Sequence, residues 1–175
     1  MTLRSFRFAL LLVLALPALA MAADKPNIVL ILADDLGQRD LACYGSKFYR
    51  TPNIDRIAAE GMRFTDYYAA CPVCSPTRAS IMTGQYPARL NLTDWLPGRG
   101  DRPDQKLARP QIIDHLPDGI ATLPRSLKDA GYTTGIIGKW HLGGVGHEPK
   151  TAGFDYSVAA DESGSPRSYF APYRN

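Results

Sequence analysis

Cys74-Ser75-Pro76-Thr77-Arg78-Ala79-Ser80-Ile81-Met82-Thr83-Gly84 is the stretch on which the reading of this chain turns. Ser75-Pro76 has the form of an N-cap followed by a first-turn proline, and Gly84 has the form of a C-terminal stop. The spacing therefore predicts a helix of about two turns. Cys74 then stands at the helix mouth, where unpaired backbone N–H groups and the helix dipole favour a negative group, whether thiolate or oxyanion. Arg78 is placed one turn further on, on the same face, and its guanidinium fork fits a tetrahedral oxyanion. Taken alone, a buried structural cysteine beside a surface arginine is the better explanation of the pair.

Outward from that stretch the chain alternates. Asn27 to Ala33 (NIVLILA) is a continuous apolar run of the kind expected for a strand buried on both faces of a parallel sheet. Thr51-Pro52 and Gly61 bracket Ile54, Ile57 and Ala58 at helical spacing. Met62 to Ala69 alternates as a second strand. Residues 85–121 are rich in Pro, Gly, Asp and Arg without a sustained period, and read as a long irregular excursion of the functional kind. Within it Tyr86, Asp94, Trp95, Arg99 and Arg102 are candidates for a substrate entrance, although a solvated loop accounts for each. Thr122 restarts a helix that closes at Gly131, and Tyr132 to Gly138 (YTTGIIG) is a third strand.

Strand, helix, strand, helix, loop, helix, strand is the rhythm of an α/β fold with a parallel sheet. Ligands in such sheets bind outside the carboxyl ends of the strands. Asp34, Asp35, Cys74, Lys139 and His141 all fall at such positions in this reading. Adjacent carboxylates such as Asp34 and Asp35 repel one another unless a hard cation, Ca²⁺ or Mg²⁺, holds both. An exposed Asp-Asp-x-Gly turn is the plain alternative. Lys139 and His141 are two apart, so in extended chain they point the same way. Surface polarity explains such a pair when it stands alone.

The bulk properties narrow the classes. Arg4 and Arg7 lead into an apolar run from Phe8 to Ala20, and Ala20-Met21-Ala22 forms a small-x-small cleavage site, so residues 1–22 are expected to be a secretory signal peptide. Its removal takes the formal charge from +3 to +1. A nearly neutral chain offers no electrostatic case for nucleic acid, and no membrane attachment is expected after cleavage. Three cysteines cannot all pair internally. Cys71 and Cys74 form a C-x-x-C that could be a redox pair, but Cys43 and the three histidines lack zinc-finger spacing. His115 and His147 receive no role. Asn91-Leu92-Thr93 is a glycosylation sequon, meaningful in a eukaryotic source.

The 74–84 stretch closely resembles the C-x-P-S/T-R-x-x-x-x-T-G signature of type I sulfatases, with Thr77 in place of the commoner serine. Asp34-Asp35 matches the calcium ligands near the start of that family, and Gly138-Lys139-Trp140-His141-Leu142-Gly143 matches another of its motifs. The resemblance runs from Lys25 to about Tyr173. It implies an α/β layered parallel-sheet sandwich of the alkaline-phosphatase/sulfatase kind, with residues 23–175 as the N-terminal part of a catalytic domain. The family's later Asp-Asn/Gln pair, lysine and histidine have no counterpart here, so the chain is expected to be an incomplete fragment, inactive or nearly so alone.

The resemblance further implies a sulfuric ester hydrolase dependent on Ca²⁺ and on a formylglycine made from Cys74 by a formylglycine-generating or sulfatase-maturating enzyme. One hydroxyl of the hydrated aldehyde attacks the sulfur of a sulfate ester; loss of a proton from the other then ejects sulfate and restores the aldehyde. Asp34, Asp35 and modified Cys74 are the implied metal ligands, Arg78 steadies the hydrate, Lys139 takes a sulfate oxygen, and His141 hydrogen-bonds the formylglycine hydroxyl. Carbohydrate sulfate is the expected substrate on family prevalence, and secretion or the periplasm the expected location (lysosome or extracellular space in a eukaryote). Phosphonate or phosphate ester hydrolysis, a secreted anion-binding module and a thiol–disulfide module are the competing readings.

Overall fold

The computed structural model of the protein describes residues 25–171; the expected signal peptide lies outside them. The chain divides into two compact units, Met1–Leu36 and Gly37–Asn175.

In the first unit, Asn27 to Ala33 is not a strand. Ile28 to Leu32 are between 41 % and 83 % exposed. A strand needs a neighbour for its N–H and C=O groups, and an apolar run supplies burial potential without supplying that neighbour. Asp34 and Asp35 follow on an exposed bend, so the expected placement at a strand end does not hold. Asp35 takes φ +56°, a left-handed conformation that aspartate tolerates better than most residues.

The second unit opens with two short 3-10 turns, Gln38–Asp40 and Ala42–Tyr44, followed by helix α1, Pro52–Glu60. Pro52 occupies the first turn as expected. The Thr51 hydroxyl does not cap α1; it accepts from the Ala42 N–H and donates to Asp55 Oδ1, tying the 3-10 turn to the helix. Ile54 and Ile57 remain largely exposed. The strand expected over Met62 to Ala69 is also absent. Side chains meet its carbonyls in place of a ladder: the Tyr44 hydroxyl donates to Phe64 O at 2.7 Å, and Gln38 Nε2 to Thr65 O at 3.4 Å.

Helix α2 spans Cys74–Thr83 and ends at Gly84, whose φ of +68° and ψ of +13° form the left-handed cap that glycine adopts without strain. Helix α3, Leu123–Asp129, starts where the sequence restarts a helix and is capped there: Thr122 Oγ1 accepts from Arg125 N, while the same hydroxyl donates to Ala152 O at 2.5 Å. Strand β1, Gly135–Ile137, lies within the predicted third strand and pairs in parallel with β2, Tyr156–Val158. The register sets Gly135 opposite Tyr156 and Ile137 opposite Val158. Asp155, just before β2, locks the start of β1 by accepting from Thr134 N at 2.9 Å and Lys128 Nζ at 2.5 Å.

The core gathers Ala79 of α2 with Leu90, Leu92, Leu116, Trp140, Leu142 and Ala152. Three of those seven come from the irregular 85–121 excursion. That segment is therefore a wall of the core as well as surface loop. Trp140 is held edge-on to Phe154, with ring centroids 6.3 Å apart, and donates through Nε1 to His147 O at 2.9 Å.

Candidate active site

Cys74 is the first helical residue of α2, and Val73 in extended backbone is its N-cap. The helix thus begins a residue earlier than Ser75-Pro76 suggested, which puts Cys74 in the first turn, where the backbone N–H groups lack intrahelical partners. Proline at position 76 forfeits nothing there, since its missing N–H is one of those unpaired donors. The Thr77 hydroxyl donates to Cys71 O at 2.6 Å. Cys43, Cys71 and Cys74 are all free of disulfides and half-buried.

Ser75, released from capping, has a different task. It is fully buried, and its Oγ accepts from Leu96 N at 3.1 Å. The carbonyl of the same Leu96 lies 2.7 Å from His141 Nε2. A carbonyl can only accept, so His141 Nε2 carries a proton and donates it to Leu96 O. One loop residue therefore links the turn that bears Cys74 to His141. The imidazole is 3 % exposed, and Gly164 packs so tightly on it that a Cβ there would sit 2.8 Å from Cε1.

A second link joins the same two segments. Arg78 Nη1 donates to Lys139 O at 2.8 Å, bonding α2 to the chain leaving β1. Lys139 and His141 do not continue an extended run: His141 takes φ +55° and donates its N–H to Asp161 O at 3.0 Å. The alternation that would point both side chains one way is broken at that residue. In the second unit, then, Cys74, Arg78, Lys139 and His141 belong to one hydrogen-bonded framework. Asp34 and Asp35 belong to the first unit.

Sequence reasoning missed Ser75 and Leu96 as positioning residues. Ser75 carries a cap signature that masks its other use, and Leu96 acts through its backbone, which no side-chain pattern announces. Of the excursion residues proposed for an entrance, Tyr86 is 72 % exposed, and Asp94 pairs with Arg99 at 2.9 Å.

The family model described as Sulfatase matches residues 26–173. The chain is 43 % identical to N-acetylgalactosamine-6-sulfatase of Sus scrofa, over 97 % of this chain and 31 % of that protein. It is likewise 43 % identical to steryl-sulfatase of Homo sapiens, over 89 % of this chain and 27 % of that protein. Among solved structures, Ps i-CgsB is similar at 41 % identity with a TM-score of 0.65, covering 76 % of this chain and 28 % of that one. BT1596, described as a 2-O GAG sulfatase, shares the fold at 24 % identity and a TM-score of 0.54. The chain spans between about a quarter and a third of the length of the curated relatives it matches. The expected α/β class is borne out by these likenesses and by the parallel pairing of β1 with β2.

Proposed function

The chain belongs to the sulfatase family, and from that membership we propose that the protein hydrolyses sulfuric esters with a formylglycine made from Cys74, a calcium ion and a carbohydrate sulfate as substrate. The observation that carries the reading is the framework joining the Cys74 helix to the Lys139–His141 segment through Arg78 and through Leu96. It ties two motifs far apart in sequence, each able to serve a sulfate ester, into one rigid set.

The roles follow from the groups. The first turn of α2 favours a negative oxygen on residue 74, and the permanently charged Arg78 one turn on steadies it. Lys139 supplies an ammonium for a sulfate oxygen. His141 is held through Nε2 by the Leu96 carbonyl, and its imidazole is suited to hydrogen-bond the residue-74 hydroxyl. Asp34 and Asp35 are adjacent, exposed carboxylates whose hard oxygens fit calcium. The chemistry calcium supplies when bound is the neutralisation of developing negative charge.

Carbohydrate sulfate is favoured over sterol sulfate because N-acetylgalactosamine-6-sulfatase names a sugar, and Ps i-CgsB has also been solved in complex with k-i-k-neocarrahexaose. A sulfatase-maturating enzyme is the required partner, and export to the periplasm or extracellular space is the proposed location. No helix among the described residues is long and apolar enough to cross a membrane.

The test is mass spectrometry of the Cys74 peptide from the full gene product co-expressed with a maturating enzyme, with rates on matched sulfate and phosphate esters. Formylglycine at Cys74, a preference for the sulfate ester and loss of turnover in Cys74→Ala are expected. An unmodified Cys74 with turnover untouched by that substitution would sink the proposal, and a preference for phosphate would move the protein to phosphoester hydrolysis.

A further inference from the structure

His115, Asp118 and His147 belong to none of the motifs above, yet each offers a ligand atom within 4.8 Å of the other two. The His147 Nδ1 and Asp118 Oδ1 atoms are 3.2 Å apart. Two ligands of a tetrahedral ion, each about 2.0–2.1 Å from it, are separated by about 3.3 Å. The pair therefore already spans one edge of such a coordination shell. His115 stacks on His147 with ring centroids 3.7 Å apart, and its Nδ1 lies 2.7 Å from Asp114 Oδ1. A carboxylate on Nδ1 holds the proton there and leaves the Nε2 lone pair for a metal, the arrangement by which carboxylates orient ligating histidines.

The backbones beneath these rings are pinned. Leu116 N donates to Leu142 O at 2.8 Å, His147 N to Gly144 O at 2.8 Å, and Trp140 Nε1 to His147 O at 2.9 Å. Gly143 lies between the two histidines, where a Cβ would come within 2.8 Å of both of theirs. Closing the shell requires the His115 ring to leave its stack, with the exposed Asp114 carboxylate moving along with it to keep its hold on Nδ1. Asp118 and His147 also line a small surface pocket, which gives an ion access from solvent.

We propose that His115, His147 and Asp118 bind a divalent transition metal of the zinc class, with Asp114 orienting His115 and a fourth position open to water or an anion. Two imidazoles and one carboxylate suit Zn²⁺ and Co²⁺, whereas calcium prefers an all-oxygen shell. The site is independent of the calcium-binding acids proposed above.

The experiment is a Co²⁺ titration of the chelator-treated full gene product in excess Ca²⁺, read by visible absorption and followed by Zn²⁺ displacement. Wild type, His147→Gln and Asp118→Asn are compared. The expected result is a one-to-one complex with the d–d bands of a tetrahedral nitrogen–oxygen site, displaced by zinc. Both substitutions should weaken it by at least about tenfold. Asp118 is largely exposed, so its variant keeps the test open if the histidine variant folds poorly. A sulfur-to-cobalt charge-transfer band would place the metal on cysteines and overturn the proposal, as would no binding or unchanged affinity in both variants. Metal binding is read without ester hydrolysis, so the result stands apart from the outcome of the Cys74 test.

Discussion

Arg78 donates from Nη1 to the main-chain carbonyl of Lys139 at 2.8 Å, so a guanidinium on α2 grips the backbone, not the side chain, of the segment leaving β1. The acceptor survives any substitution of the Lys139 side chain. The bond can therefore fix the position of residue 139 whatever side chain stands there.

Replacing Arg78 with methionine keeps the apolar stem and removes the donor. A charge-assisted bond to a partly buried carbonyl contributes about 1.5–3 kcal/mol, and a loss of that size in urea unfolding is expected. Because the acceptor is backbone, the same loss should appear in a Lys139→Ala background, additive to within about 0.5 kcal/mol. A coupling well above that would mean that the two side chains, and not the carbonyl, carry the interaction.

The elements legible in the sequence were those with local signals. Proline at the first turn of α1, the Thr122 cap of α3 and the Gly84 stop of α2 act through their own neighbours, and each is where the pattern puts it. Strands depend on partners distant in sequence. YTTGIIG became β1 because Tyr156–Val158 lies beside it, while NIVLILA, more apolar, has no partner among the described residues. The excursion hid its core residues because irregular backbone buries Leu90, Leu92 and Leu116 without any period. The His115–Asp118–His147 group was invisible for the same reason: its members meet only through the fold.

Ser75→Ala tests the Leu96 bridge. The hydroxyl is fully buried and its removal leaves the Leu96 N–H without this acceptor, a deficit of about 1–3 kcal/mol. Leu96 also presents the carbonyl that holds His141 Nε2. The Nε2–H resonance of His141 should accordingly shift and exchange faster with water in the variant. Stability lost with that resonance unchanged would show that the bridge does not position the imidazole.

Asp155 predicts an acid-sensitive step. The Lys128 ammonium first, and the Thr134 N–H next, hold its carboxyl below the ordinary value of 3.8. A folded-state pKa below the unfolded one means that the contribution is complete above the ordinary carboxylate range and is lost as pH falls through the depressed folded value. The stability difference between wild type and Asp155→Asn should therefore be constant near neutrality and close only below pH 3.8. Urea unfolding at several pH values measures it, and a gap that narrows on raising the pH would contradict the assignment.

Gly143 and Gly146 separate two causes of strain within one loop. Both have positive φ, +130° and +85°, so alanine at either forces an L residue into a region it rarely adopts, at about 1–3 kcal/mol. A Cβ at Gly146 meets nothing within 4 Å, whereas at Gly143 it would lie 2.6 Å from His147 Cβ and 2.8 Å from His115 Cβ. Gly143→Ala must also push these histidine backbones apart, which adds about 1–3 kcal/mol of overpacking. Thermal unfolding should thus rank wild type, then Gly146→Ala, then Gly143→Ala. Only the last should weaken Co²⁺ binding, because only there does the added methyl separate the ligands. Equal destabilisation of the two variants would show that the histidines yield without resistance, and that the glycine is not what holds them together.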